Sequence, residues 1–289
     1  MLKEYFKLNL AMLCISSSGV LVRSIDLPAE TIIVIRSIIG GLLLWMILRA
    51  TTKGPRSKMR FRKGVVATGV FLCLHWLFYF LSLKASNVAT AMISLYTFPI
   101  LTVFLEPFFR KSKINIRHVL LGVLVLVGIL FLVPDRASFE TSLWGVVFGL
   151  LSAVFYALRN LLLSNQVQQE DSMSLMVQQL VITGLVLSPS LFYLKNPIRI
   201  QDFWVELLIL SVVTTALGHT LFVKSLEKIR VSTASIISSI QPIYGIILAI
   251  LILQENPPLK TLIGGVLILA TVIIESYSSA REKAVQKSS

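Results

Sequence analysis

With 55% hydrophobic and only 14% charged residues over 289 positions, and a mean hydropathy of +0.82, this chain lies far from a soluble domain, which carries about 25% charge. The formal net charge of +13 need not signify nucleic acid, because the basic residues gather between apolar stretches, as membrane topology requires. Two cysteines, Cys14 and Cys73, both inside apolar stretches, read as small buried hydrophobes and argue against a disulfide framework.

A helix that crosses the hydrocarbon core needs about 20 apolar residues. Ten stretches qualify, at about 6–25, 29–49, 64–84, 88–109, 115–133, 141–164, 173–194, 203–224, 231–253 and 258–277. They are continuously apolar and much longer than the roughly 10 residues of a barrel strand, so the predicted class is an all-α integral membrane protein. The first stretch follows Lys3 and Lys7 without a small-residue cleavage site and reads as a span rather than a signal peptide.

Taken in order, the spans carry a sparse set of polar residues. The second holds Arg36 and Gly40-Gly41, and the third holds His75, Trp76 and Tyr79. The fourth opens at Asn87 and carries Ser94, Tyr96, Thr97 and Pro99. Proline and charge then interrupt the pattern at 133–140. The sixth has Gly145-x-x-x-Gly149, a close-packing face, followed by Tyr156, Arg159 and Asn160. The seventh has adjacent Gln178 and Gln179, about 100° apart on a helix, so one of them is expected to face the centre. His219 lies in the eighth, and Ser238, Ser239, Gln241, Pro242 and Tyr244 in the ninth. Glu106, Glu206 and Glu275 stand near span ends, which gives little support to an acidic ion-coupling site.

An internal repeat organises these spans. Residues 82–100, SLKASNVATAMISLYTFPI, return 143 positions later as SLEKIRVSTASIISSIQPI, with eight of nineteen positions identical, among them Thr90/Thr233 and Pro99/Pro242. Gly122-Val-Leu-x-Leu likewise matches Gly265-Val-Leu-x-Leu. Five spans per half is an odd number, so the second copy enters from the opposite side, and the prediction is ten transmembrane helices built from two inverted five-helix repeats. The first repeat takes 1–133, an extracytoplasmic linker 134–140, the second repeat 141–277, and a cytoplasmic tail 278–289.

With the N-terminus inside, the cytoplasmic loops collect Arg49, Lys53, Arg56, Lys58, Arg60, Arg62 and Lys63, then Arg110 to Arg117, Lys224, Lys228 and Arg230, while the outer side receives only Lys84, Arg136, Lys195, Arg199 and Lys260. The positive-inside rule therefore places both termini in the cytoplasm. The basic loops face anionic lipid headgroups, and no nucleic-acid partner is expected. The swap of Ala85-Ser86-Asn87 for Lys228-Ile229-Arg230 at equivalent turns agrees with the inversion.

The two halves resemble EamA domains of the drug/metabolite transporter superfamily, over residues about 5 to 277. The resemblance rests on Pro28, Arg36 and Gly40-Gly41, on 85–91 with Pro99, and in the second half on 230–235, Pro242, Gln254-Glu255 and Gly264-Gly265. Arg110-Lys-Ser-Lys113 stands where the first half's glutamate is expected, and Gln178-Gln179 occupies the region that matches Arg36. The resemblance implies a ten-helix secondary carrier with a central cavity that moves small metabolites by alternating access in a plasma membrane, here a bacterial inner membrane.

Polar groups deep inside spans are the candidates for substrate binding: Arg36, His75, Trp76, Tyr79, Tyr96, Tyr156, Arg159, Gln178, His219, Gln241 and Tyr244, with Pro99 and Pro242 as paired hinges. Arg36 either takes a carboxylate or phosphate bidentately or bonds helix carbonyls structurally. Arg159 either belongs to the same site or snorkels toward headgroups. His75 and His219 either carry protons or simply pack. No His-Glu-x-x-His, Gly-x-Ser-x-Gly, paired intramembrane aspartates or phosphate loop is present, so no catalytic residue, metal, cofactor or nucleotide hydrolysis is expected. The function expected is export or exchange of an amino acid or related anionic or zwitterionic metabolite, by a monomer or a homodimer. An uptake carrier for nucleosides, vitamins or cofactors, a multidrug exporter, and a channel or scaffold are the alternatives.

Overall fold

The structure, a computed structural model, describes residues 2–51, 59, 61–110, 120, 121, 123, 124, 127, 128, 131, 139–193, 200–229 and 231–288. Among these residues the regular structure is entirely helical, without strands. Among the described residues, seven helices are long and apolar enough to cross a membrane: Glu4–Ser24, Ala29–Thr51, Lys63–Ala85, Val88–Phe109, Leu143–Gln166, Ser172–Phe192 and Ile200–Ser225. Two shorter apolar helices follow, Ser238–Leu253 and Leu259–Thr271. Most of the predicted fifth span and residues 134–138 of the linker lie outside the described residues.

The elements are α1 (Leu2–Ser24), α2 (Ala29–Thr51), α3 (Lys63–Ala85), α4 (Val88–Leu95), α5 (Phe98–Arg110), α6 (Phe139–Gln166), α7 (Ser172–Leu187), α8 (Trp204–Ile209), a π-helical segment Leu210–His219, α9 (Thr220–Ser225), α10 (Val231–Ile237), α11 (Gln241–Leu253) and α12 (Leu259–Ser288). Local chemistry sets several of these ends. Asn87 accepts from Thr90 N at 2.8 Å and Asp171 from Ser174 N at 2.9 Å, side-chain caps that start α4 and α7. Gln254, with φ of 53°, closes α11 in the left-handed conformation.

Two predicted spans are each made of two pieces. The fourth breaks between Leu95 and Phe98, and the ninth passes through a 3₁₀ turn at Ser238–Ile240. Pro99 and Pro242 each occupy the second position of the helix that follows. A missing N–H costs nothing there, because the first-turn donors of a helix have no intrahelical acceptor. The prolines begin the second piece instead of bending a continuous helix. At the C-terminus, α12 continues through the predicted tail to Ser288.

Packing joins the two halves along most of their length. α3 lies against α6, α1 against the π-helical segment, α2 against α7, and α4 against α11. Under the 143-residue offset the first two pairings exchange with one another, as a two-fold relation between the halves requires. The Gly145/Gly149 face is a close approach of two helices: a Cβ on Gly145 would sit 2.4 Å from the Cβ of Ser86, and one on Gly149 2.4 Å from that of Ser94. Ser82 Oγ donates to Gly145 O at 2.6 Å across the same seam. Large apolar side chains such as Leu42, Phe108 and Leu251 remain on the outside of the bundle, where hydrocarbon can cover them.

Candidate functional site

Where the helices converge, a closed cavity remains with about 10 Å³ of water-accessible space, room for about one water molecule. Ile15 and Ser18 of α1, Arg36 of α2, His75, Trp76 and Tyr79 of α3, Leu95 of α4, Tyr96, Tyr156 of α6, His219 and Gln241 line it. Many of the polar and aromatic side chains that the spans were expected to hide from lipid thus meet in one place.

Arg36 is 1% exposed. Its Nε donates to Thr215 Oγ1 at 2.9 Å and its Nη2 to Thr214 Oγ1 at 3.2 Å. The guanidinium lies over the Trp76 ring, 3.8 Å from its centroid, with Phe80 at 5.4 Å, a desolvated cation–π contact. Two adjacent threonines serve one guanidinium because they sit in the π-helical segment. Both hydroxyls donate to Leu210 O, at 2.5 and 2.8 Å, and each then turns a lone pair toward Arg36. Such wide turns inside membrane helices frequently mark functional positions.

On α3, His75 Nδ1 lies 2.8 Å from Ser152 Oγ, and the same hydroxyl donates to His75 O at 2.9 Å. A Ser152 hydroxyl engaged with that carbonyl is left to accept from the ring, an arrangement that favours the imidazole proton on Nδ1. The His75 ring stacks on Tyr156 at 4.2 Å. His219 meets Trp76 edge-on at 5.3 Å, and its Nδ1 is buried without a hydrogen-bond partner among the described residues.

Of the residues singled out from sequence, Arg36, His75, Trp76, Tyr79, Tyr96, Tyr156, His219 and Gln241 line the cavity, while Arg159, Gln178 and Tyr244 do not. Arg159 is fully buried one turn beyond Tyr156, with Nε and Nη2 on Gln179 Oε1 at 2.9 and 2.8 Å and Nη1 on Asn160 Oδ1 at 3.2 Å. It therefore does not snorkel. Gln178 turns back to Ser174 O at 3.3 Å and to Glu170 Oε2 at 3.4 Å, so its neighbour Gln179 takes the inner position. Tyr244 is half-buried against the core. Pro99 and Pro242 are buried just beyond Tyr96 and Gln241. Sequence reasoning passed over Ser18, Ser152, Thr214 and Thr215; hydroxyls are common at membrane helix contacts and give little local signal.

Among the described residues, bonds tie helices together at both ends of the bundle. At the C-terminal end of α3, Glu255 Oε2 accepts from Val88 N at 2.9 Å and its Oε1 lies 3.6 Å from Arg23 Nε. Arg23 Nη1 donates to Leu83 O at 3.0 Å and Lys84 Nζ to Ile25 O at 3.0 Å. α6 runs antiparallel to α3, with Gly145 at Ser86 and Gln166 at Thr68, so the C-terminal end of α6 marks the opposite end of the bundle. There Gln168 Nε2 donates to Leu226 O and Glu227 O, each at 3.3 Å, Ser172 donates to Glu227, and Arg62 pairs with Glu170 at 3.7 Å. Leu226 and Glu227 stand 143 positions after Leu83 and Lys84, so the same carbonyls of the repeat are clasped at the two ends. No cluster of three or more His, Cys, Asp or Glu suited to a metal occurs among the described residues.

A model of the EamA-like transporter family matches residues 2–133 and 143–277. The uncharacterized transporter YxxF of Bacillus subtilis is 24% identical over 91% of this chain and 86% of its own length. The pseudopaline exporter CntI of Pseudomonas aeruginosa is 26% identical over 86% and 87%. The uncharacterized inner membrane transporter YicL of Salmonella typhimurium is 26% identical over 70% and 69%. A solved crystal structure superposes with a TM-score of 0.72 at 16% identity, covering 96% of this chain and 98% of the other, which establishes a shared fold.

Proposed function

Because the chain belongs to the EamA-like transporter family and is a multi-pass membrane protein, we propose that it is a secondary carrier for a small anionic or zwitterionic metabolite, an amino acid or a related compound. The observation that carries this reading is Arg36: a buried guanidinium at the centre of the helices, held by two neutral hydroxyls and an aromatic face. A charge so placed is costly in a membrane, by about 2.5 kcal/mol or more, and is retained where it serves a cavity or a substrate. A carboxylate would exchange two neutral hydrogen bonds for two charge-assisted ones.

Alternating access is the mechanism proposed. The cavity lies between halves whose helix pairings are reciprocal, and each end has its own set of ties. This supports ten spans in two inverted repeats, at 1–133 and 141–277, joined by an outer linker at 134–140, with both termini and the 278–289 tail in the cytoplasm. The plasma membrane, in a bacterium the inner membrane, is the proposed location. Export or exchange is the proposed direction, supported by a relative named as an exporter.

The test is counterflow in proteoliposomes preloaded with amino acids, nucleosides, vitamins or cationic drugs, with and without a pH gradient. Saturable exchange of anionic or zwitterionic solutes is expected. Exchange confined to cations, or none from folded protein, would overturn the proposal.

A further inference from the structure

The bundle holds a second buried cation that the binding role of Arg36 does not use. Arg159 is fully buried, and its partners are amide oxygens of Gln179 and Asn160. Among the described residues no carboxylate bonds or pairs with either guanidinium. The acids whose ion pairs are described stand at the ends of the bundle: Glu4 with Lys7 and Lys228, Glu255 with Arg23, and Glu170 with Arg62. Among the described residues, the two interior formal positive charges are compensated only by dipoles and aromatic faces. Buried guanidinium groups in membrane proteins ordinarily pair with an anion or meet water, and this cavity has space for about one water molecule.

The two charges stand on different helices that both pack on α3, and only Arg36 lines the cavity. Arg36 meets it directly, beside Trp76. Arg159 stands one helical turn from Tyr156, on the same face of α6, and Tyr156 forms part of the cavity wall. His75 stacks on that tyrosine. The cavity thus has one guanidinium in its wall and a second behind Tyr156, each in neutral company. A zwitterion with one carboxylate would satisfy one guanidinium and bring a cation into a centre already short of negative charge.

We infer that the preferred substrate is a small dicarboxylate: one carboxylate replaces the Thr214 and Thr215 hydroxyls on Arg36, and the other lies at the Tyr156 side, in the field of Arg159. The inference rests on the carrier reading above and narrows its substrate.

Counterflow by the full-length protein tests it, with succinate and aspartate compared against lactate and alanine, and with thermal stability of each variant measured in parallel. The diacids are expected to exchange with at least about 30-fold lower half-saturation than the monoacids, the scale of losing one partner of a buried charge pair. Arg159→Gln should collapse that preference by raising the diacid half-saturation toward the monoacid value, and Arg159→Lys, which keeps the charge, should restore much of it even if Arg159→Gln is unstable. Monoacids exchanging as well as diacids, or Arg159→Lys losing the preference in a folded protein, would overturn the dicarboxylate inference and leave the carrier reading standing. Absence of exchange for every solute from folded protein would overturn both.

Discussion

Arg36 shows how a single side chain can be read from sequence and still be decided by its neighbours. Its position well inside the second span marked it as a cost to be repaid, but its acceptors lie 178 and 179 residues away, on Thr214 and Thr215. Arg36→Gln is expected to insert and fold yet lose solute exchange by 10-fold or more (about 1.4 kcal/mol per tenfold), whereas Arg36→Lys restores it only partly because the planar fork is lost. Transport assays together with thermal melts separate this from a purely structural arginine, for which both variants would unfold. Replacing Thr214 and Thr215 together by valine removes both acceptors while nearly keeping shape. A buried donor left unsatisfied costs about 1–3 kcal/mol, so the empty protein should melt earlier, and an anionic substrate, which supplies the missing acceptors, should stabilise the double variant more than the parent. Equal stabilisation of the two would argue against substrate reaching Arg36.

At the scale of elements, the decisive features are where helices stop and how closely they approach. Gly149 lies against Ser94 so tightly that any Cβ must displace it. Gly149→Leu is therefore expected to separate α6 from α4 and abolish a monodisperse folded peak in size-exclusion chromatography, since overpacking of this kind costs about 1–3 kcal/mol or more. Proline 99 makes the opposite case. Sitting at the second residue of α5, it removes no helical hydrogen bond, so Pro99→Ala should change stability by less than about 1 kcal/mol. Should Pro99→Ala slow exchange without changing the melting temperature, the break between α4 and α5 would be implicated in movement; an unchanged rate would assign the proline to chain geometry alone.

For the whole molecule, the important property is that both ends are tied at once around a nearly filled cavity. At the end near Glu255, one carboxylate serves both the α4 N-terminus and Arg23, beside the bonds of Arg23 to Leu83 O and Lys84 to Ile25 O. The other end depends on Gln168, Glu227, Ser172 and the Arg62–Glu170 pair. Glu255→Ala should loosen one end alone. In a background without Cys14 and Cys73, a cysteine at Ser18 should then react faster with a membrane-impermeant maleimide added from the side of Glu255, and no faster with reagent from the opposite side. Faster labelling from both sides would mean that the ties do not act as separate gates.

Much of this architecture was legible in the residues themselves. Hydropathy is local, so the long apolar helices and the polar groups hidden within them could be read directly, and the repeat around Pro99 and Pro242 named the residues at which two spans begin their second pieces. Eight of the proposed site residues proved to share one cavity because burying polarity away from lipid leaves few places for it to go. Tertiary structure decided the remainder. Whether Gln178 or Gln179 turns inward, why Thr214 and Thr215 can both serve Arg36, and that Arg159 finds Gln179 rather than the headgroups all depend on packing between helices distant in the chain and on one π-helical stretch. No composition or periodicity within a single span encodes the face that a neighbouring helix will cover.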